Sequence, residues 1–147
     1  MKRPLPPAFF LSAIVLSAAL HFLLPLRRLI AWPWCLVGIA PIVPGIVLNL
    51  LADRAFKKHN TTVKPFEESA ALVTNGVFAI TRNPMYLGMT LILLGIAVLL
   101  GSASPFIVVI VLPILFDRTF IAPEEKMLED TFGDRFSEYR RRVRRWI

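Results

Sequence analysis

Long apolar runs separated by polar stretches predict that this chain folds as membrane-crossing helices. Pro7–Leu26 holds 20 residues without Asp, Glu, Lys or Arg, and Leu29–Ala52 holds 24. At 1.5 Å per residue, about 20 helical residues cross the roughly 30 Å hydrocarbon layer of a bilayer. Both runs are therefore predicted to be membrane spans. The second is expected to be kinked at its interior prolines, which are Pro33, Pro41 and Pro44.

A cleaved signal peptide is the alternative interpretation of the first run, because Lys2 and Arg3 precede it. The apolar core of a signal peptide has about 7–15 residues and ends at a small-residue cleavage site. This run is longer and ends in Arg27 and Arg28. We therefore expect a retained span.

A third apolar run, Met85–Phe116, has 32 residues without a charge, which is long for one span and short for two. Turn-forming residues interrupt it at Gly101–Pro105. The run predicts a hairpin of two helices, about residues 84–101 and 103–122. Asp117 and Arg118 would then lie near the membrane boundary.

The tail after the fourth span predicts two further helices. Pro123 followed by Glu124 and Glu125 is typical of a helix start, and Gly133 of a helix end. Beyond Gly133, apolar residues recur at helical spacing among six arginines, which predicts an amphipathic helix lying in the membrane interface. This stripe consists of Phe136, Tyr139, Val143 and Trp146.

Composition supports a membrane protein. Hydrophobic residues make up 56% of the chain and charged residues 18%, and the mean hydropathy is +0.63. These values argue against an ordinary soluble domain and against disorder. A single cysteine excludes a disulfide framework. The net charge of +7 is compatible with nucleic-acid binding, but cationic residues facing anionic lipid headgroups are the preferred explanation, with no nucleic-acid partner.

The distribution of charge predicts orientation. With four spans and both termini on one side, 15 of the 17 Lys and Arg residues and all 10 acids share that side, which leaves only Arg27 and Arg28 opposite. The positive-inside rule places the charged side in the cytoplasm. We expect one domain, residues 1–147, with segments 53–83 and 123–147 forming a cytoplasmic site.

Several kinds of site are not indicated. His21 and His59 have no Cys or His partner at metal-ligand spacing, so no metal site is expected. The seven glycines form neither G-x-G-x-x-G nor a P-loop. Ser102 and Ser104 are expected to lack a nearby base, which argues against serine hydrolase chemistry.

Two clusters on the charged side have candidate chemistry. Asn83 is a good N-cap and Pro84 a good first residue for the third span. That helix start, with Arg82 beside it, suits a carboxylate or phosphate, although a capped helix meeting lipid phosphate is equally compatible. Glu124 and Glu125 suit an amine, a ribose, a cation or a proton, although acids also favour any solvated helix start. Together the clusters suit a zwitterionic ligand.

These motifs resemble a known family. Leu72–Phe78, Thr81–Gly88 and the Pro-Glu-Glu…Phe-Gly…Tyr…Arg-Val pattern of residues 123–143 are similar to isoprenylcysteine carboxyl methyltransferases and phospholipid methyltransferases. The resemblance covers roughly residues 61–143. It implies an all-α integral membrane enzyme with about four transmembrane helices and amphipathic C-terminal helices, which uses S-adenosylmethionine without a Rossmann fold.

By position, the resemblance implies which residues bind the cofactor. The helix start would receive the methionyl carboxylate and Glu124 the cationic part. Asn83 stands where the eukaryotic isoprenylcysteine enzymes have His, Phe78 where they have Tyr, and the chain has fewer spans than they do. The implied cofactor-binding residues are Ala71, Leu72, Val73, Phe78, Asn83, Pro84, Met85, Tyr86 and Glu124.

The implied reaction is methyl transfer to a lipophilic acceptor that arrives from the bilayer. The acceptor would be an isoprenylcysteine-like carboxylate, a phospholipid amine or a small lipophilic molecule. Arg82 is the candidate to pair with an anionic acceptor and Glu125 the candidate to take a proton. The alternative is a non-catalytic membrane scaffold or subunit that keeps the fold. A transporter is disfavoured, because no internal repeat or midplane charge marks a pathway.

Overall fold

The computed structural model describes residues 5–59 and 71–147, and its regular structure in these ranges is helical. The predicted all-α membrane fold is therefore confirmed. Lys2, Arg3, Lys64 and the centre of the predicted segment 53–83 lie outside the described residues. The elements in chain order are α1 (Pro6–Leu23), a 3₁₀ turn (Trp34–Gly38), α2 (Ile39–Lys58), a 3₁₀ turn (Gly76–Ala79), α3 (Pro84–Leu100), α4 (Ser104–Phe116), a π-turn (Asp117–Ile121), α5 (Ala122–Phe132) and α6 (Asp134–Arg142).

Three helical stretches among the described residues are long and apolar enough to cross a membrane: Pro6–Leu23, Trp34–Lys58 and Ser104–Phe132. The apolar part of the last stretch is residues 104–121. The remaining predicted span, the third in chain order, is α3, which has 17 residues and is shorter, at about 26 Å. Some boundaries differ from those predicted: α1 ends at Leu23 rather than Leu26, and the second helical stretch runs from Trp34 to Lys58 rather than from Leu29 to Ala52.

Helix α3 lies at the centre of the bundle. It packs against α2 on one side and against α1 and α4 on the other. Leu93 and Ala97 of α3 are fully buried, as is Phe116 at the end of α4. The outward faces of α1 and α2 expose large apolar side chains such as Phe22 and Val43, as expected of helices surrounded by lipid.

Glycines on both partners let α2 and α3 approach closely. Gly45 faces Gly88, and Gly38, just before α2, faces Gly95. A Cβ atom added to Gly45 would lie 2.7 Å from the carbonyl oxygen of Gly88, and one added to Gly88 would lie 2.6 Å from that of Gly45. Small residues at membrane helix crossings allow this backbone contact. These glycines therefore set the short distance between the backbones of α2 and α3.

The bundle closes at the end opposite the termini through the turn between α3 and α4. Gly101, with φ of 76°, accepts hydrogen bonds at its carbonyl from the amides of Leu29 and Ile30. Ser102 is buried, and its Oγ lies 2.8 Å from Nδ1 of His21. The expectation that Ser102 lacks a nearby base was wrong, because the last turn of α1 places His21 beside it. The contact joins α1 to the turn.

The tail does not begin a new helix at Pro123. Residues 104–132 form one continuous helix through the π-turn, in which Ala122 N–H donates to the carbonyl of Asp117, five residues earlier. A proline removes one backbone donor and crowds the preceding turn, and the wider π-turn accommodates it. Glu124 and Glu125 are thus carried on a continuous helix and not at a free helix start. The predicted end at Gly133 is confirmed, with φ of 50° there.

Candidate functional site

Two adjoining cavities lie at the end of the bundle where α1 and α3 begin and α2 ends; we call this the site end. The larger has a volume of about 210 Å³ and the smaller about 50 Å³. Both are lined by Phe56, Phe78, Arg82, Asn83 and Glu124. Because one acid and one guanidinium reach both cavities, a single elongated ligand could contact charges of both signs.

The structure brings all the predicted cofactor-binding residues to these cavities. In addition to the five residues that line both cavities, Pro84, Met85 and Tyr86 line the larger one. The smaller cavity is also lined by the segment of Ala71, Leu72 and Val73 and by the second acid, Glu125. Residues about 40 positions apart in the sequence thus form one site. Their roles in binding remain predictions.

The start of α3 differs in one respect from what was expected. Asn83 occupies the N-cap position, but its side chain makes no capping hydrogen bond. Its Nδ2 instead donates to the carbonyl of Arg145 at 3.0 Å, and its backbone amide donates to Thr81 Oγ1 at 3.2 Å. The first turn of α3 therefore lacks a side-chain cap, which is the condition under which a helix start binds an anion.

Glu124 and Glu125 are adjacent in sequence but have different surroundings. Glu124 accepts a hydrogen bond from the hydroxyl of Tyr86 at 3.2 Å. Burial raises the pKa of Glu124 to about 7; the bond from Tyr86 opposes this rise and the charge of Glu125 adds to it. Glu124 is therefore an acid that exchanges its proton near neutral pH at the wall of both cavities.

Glu125 is held in a network of ion pairs. Its Oε1 lies 2.9 Å from Arg82 Nη1 and 3.1 Å from Arg145 Nε, and its Oε2 pairs with Arg145 Nη2. Arg145 Nη1 also donates to Asp117 at 2.9 Å. Glu125 is thus bound by two guanidinium groups, and its predicted role as proton acceptor stays a prediction.

Arg82 is the other predicted catalytic residue, and it lines both cavities. Only 9% of its side chain is exposed. Burial lowers its pKa, an effect that Glu125 partly offsets. Among the described residues neither its Nε nor its Nη1 makes a hydrogen bond, although Nη1 lies within ion-pair distance of Glu125. A buried donor without a partner typically costs about 1–3 kcal/mol, so Nε is a candidate to bind an anionic group.

Helix α6 supports the aromatic wall of the site. The rings of Phe56 and Phe78 meet edge to face with centroids 5.1 Å apart. The hydroxyl of Tyr139 donates to the carbonyl of Phe78 at 2.6 Å, and burial raises the pKa of Tyr139. Phe136 is also buried. This half of the predicted apolar stripe therefore faces the ends of the spans and not lipid.

The other half of the stripe is not helical. Helix α6 ends at Arg142, and Val143 is extended, with φ of −120° and ψ of 130°. The chain then packs against the segment before α3, where the amide of Arg82 donates to the carbonyl of Arg144 at 3.0 Å. Trp146 packs against the core of the bundle. Of the six arginines expected to face lipid headgroups, Arg145 is instead engaged inside the protein.

Some residues of the site were not anticipated. Phe56 lies in the predicted polar centre and Met89 in the third span, and neither carries a sequence signal for a site. The start of α1 also contributes to the larger cavity, through Leu5, Pro6 and Pro7. Arg145 was noted only as one member of an arginine cluster, since sequence spacing alone does not distinguish a half-buried arginine from its exposed neighbours.

Comparison with known proteins gives three findings. Residues 33–135 match the family model described as phospholipid methyltransferase. An uncharacterised protein of Haemophilus influenzae is 40% identical over 63 residues, which are 43% of this chain and 100% of that protein. The protein-S-isoprenylcysteine O-methyltransferase of Schizosaccharomyces pombe is 38% identical over 73 residues, 49% of this chain but only 30% of that enzyme. No solved structure matches the chain significantly.

Proposed function

Because this chain belongs to the phospholipid methyltransferase family, we propose that it transfers the methyl group of S-adenosylmethionine to a lipophilic acceptor in the membrane. The observation that supports the proposal most is that Arg82 and Glu124 line the same pair of cavities at the uncapped start of α3. The cavities therefore offer one basic and one acidic wall, which suits a zwitterion.

The chemistry of these walls fits S-adenosylmethionine. Its carboxylate would be held by the start of α3 and by Arg82, whose Nε has no partner among the described residues. Its cationic part would be held by Glu124, and the ring of Phe78 offers an apolar surface in both cavities. The residues present thus supply a partner for the carboxylate and a partner for one cationic group of S-adenosylmethionine.

When bound, S-adenosylmethionine supplies an activated methyl group on a positively charged sulfur. The protein then has to align the acceptor and exclude water. Apolar walls from Phe56, Met85 and Met89 exclude water from the larger cavity. Glu124, with its pKa near 7, can hold or release a proton beside Tyr86.

The larger cavity is the proposed acceptor site. Its walls are mostly apolar and include Leu5, Pro6 and Pro7 at the start of α1. A lipophilic acceptor would enter this cavity laterally from the bilayer. An isoprenylcysteine-like carboxylate, a phospholipid amine and a small lipophilic molecule all fit this chemistry. The name of the yeast relative favours the first of these.

We further propose that the site end faces the cytoplasm. The proposal is supported by the sequence, in which 15 of 17 basic residues fall on the side of the termini. The described basic residues at the opposite end are Arg27 and Arg28, next to the turn at Gly101. The cofactor would then enter from the cytoplasm.

A titration calorimetry experiment tests the proposed function. The purified full chain in detergent is titrated with S-adenosylmethionine, and we expect saturable heat. A non-catalytic scaffold that keeps the fold should give no saturable heat, and that result would reject the proposal.

A further inference from the structure

We propose that Arg145 is a positioning residue, which acts through Glu125 to keep Arg82 available to a ligand. The proposal rests on the function proposed above, in which Arg82 binds an anionic group. Arg145 lines neither of the two cavities, so any effect on a ligand must pass through other residues. It also lies beyond the stretch that matches the family, residues 33–135.

The two carboxylate oxygens of Glu125 are contacted unequally by Arg82 and Arg145. Arg82 holds Oε1 through Nη1 at 2.9 Å, while Arg145 holds Oε1 through Nε at 3.1 Å and Oε2 through Nη2. Arg145 therefore makes two hydrogen bonds to this carboxylate, whereas Arg82 makes one ion-pair contact through Nη1 without a hydrogen bond. A carboxylate and a guanidinium prefer two parallel hydrogen bonds when nothing prevents them.

Removing the guanidinium of Arg145 would free Oε2 of Glu125. The nearest guanidinium in the network is then that of Arg82, only 9% exposed and with Nε unpartnered among the described residues. We infer that Glu125 would take up this second donor. Arg82 would then have fewer free donors for a ligand in the cavities.

Two further contacts hold Arg145 in place. Its Nη1 lies 2.9 Å and 3.2 Å from the two oxygens of Asp117, in the π-turn that precedes α5. Its carbonyl accepts from Thr81 Oγ1 at 3.2 Å and from Asn83 Nδ2 at 3.0 Å. The backbone contacts dock the tail without the guanidinium, so a side-chain substitution separates positioning from docking.

The test compares R145Q with the matched control R141Q, since Arg141 is an exposed arginine of α6. Calorimetric titration of the full chain with S-adenosylmethionine should show affinity reduced about tenfold in R145Q, and no change in R141Q. Coupling of this size is typical of residues in one ion-pair network. An unchanged affinity in R145Q would overturn the proposal.

A double substitution distinguishes positioning from a merely structural role. In the E125Q background the carboxylate that competes for Arg82 is gone, so adding R145Q should change the affinity less than twofold. If R145Q still causes a tenfold loss in that background, Arg145 acts by stabilising the fold and the proposal is wrong.

A spectroscopic signature keeps the two proposals distinguishable. The Nε–Hε resonance of Arg82, followed by ¹⁵N NMR of the ligand-free protein, should move downfield in R145Q as Nε gains a carboxylate partner, and should stay in place in R141Q. If the wild-type protein shows no saturable heat with S-adenosylmethionine, the proposed function is rejected. The Arg82 resonance is measured without ligand, so it still tests whether Arg145 positions Arg82. A resonance unmoved in R145Q would overturn the positioning role.

Discussion

The hydroxyl of Tyr86, in the first turn of α3, donates a hydrogen bond to Oε2 of Glu124, 38 residues later on α5, at 3.2 Å. This contact joins the two segments that carry the family's motifs. It places an ionisable acid beside the start of α3, where Arg82 also lies. The arrangement gives the cavities one wall of each charge and is the basis for the first two predictions.

Replacing Glu124 by Gln should weaken the binding of S-adenosylmethionine. Losing one partner of a charge-assisted contact typically costs about 1.5–3 kcal/mol, which is roughly a tenfold to hundredfold loss of affinity. Calorimetric titration measures it. The matched control is E129Q, because Glu129 is an exposed glutamate on the same helix. Equal affinity in E124Q and wild type would show that the Glu124 carboxylate does not bind the cofactor.

The affinity of the wild-type protein for S-adenosylmethionine should rise with pH. Burial raises the pKa of Glu124 to about 7, so most of this side chain is protonated and neutral at pH 6, and ionised at pH 8. If only the carboxylate binds the cationic group, the apparent affinity at pH 6 is about tenfold below its limit and at pH 8 is close to it. The E124Q protein should lack this dependence; an identical pH profile in both proteins would show that another group titrates.

Adding a methyl group at Gly45 should destabilise the bundle. The new Cβ would lie 2.7 Å from the carbonyl oxygen of Gly88, so α2 and α3 would have to separate. Overpacking of this kind costs about 1–3 kcal/mol, which corresponds to a decrease in Tm of roughly 3–9 °C for a chain of this size. The melting temperature in detergent measures it.

The control for Gly45→Ala is Ile46→Ala, at a neighbouring position that is 45% exposed and faces away from α3. We expect that variant to melt within about 2 °C of wild type, as surface substitutions usually do. A Gly45→Ala protein as stable as the control would mean that the two helices do not cross at these glycines.

The sequence anticipated the helices well because membrane spans depend on uninterrupted apolar runs. It missed the continuity of α4 and α5, since a proline followed by two acids is typical of a helix start. Here the π-turn at residues 117–121 carries the helix through.

The candidate site was predictable only in part. Asn83 and Glu124 were singled out by their helix-start and acidic-pair patterns, and Tyr86 through its resemblance to a family motif; the structure brings the three together. Phe56 and Arg145 were missed because their positions depend on packing between distant segments. Arg145 in particular is distinguished from its exposed neighbours by its contacts with Glu125 and Asp117.

The proposed orientation predicts the sides on which two fusion reporters appear. A reporter fused after Ile147 should lie in the cytoplasm, and one inserted beside Ser102 should lie on the opposite side, because the fourth span separates the turn at Gly101 from the charged tail. Reporters found on the same side would contradict a hairpin of two spans at Gly101.

The transfer of a labelled methyl group tests the central claim most directly. The purified full chain is incubated with methyl-labelled S-adenosylmethionine and a total membrane lipid extract, and the label in the lipid-soluble fraction is measured over time. We predict saturable incorporation into a lipophilic product, strongly reduced in E124Q and unaffected in E129Q. Binding of the cofactor with no label in any lipid-soluble product would contradict the account.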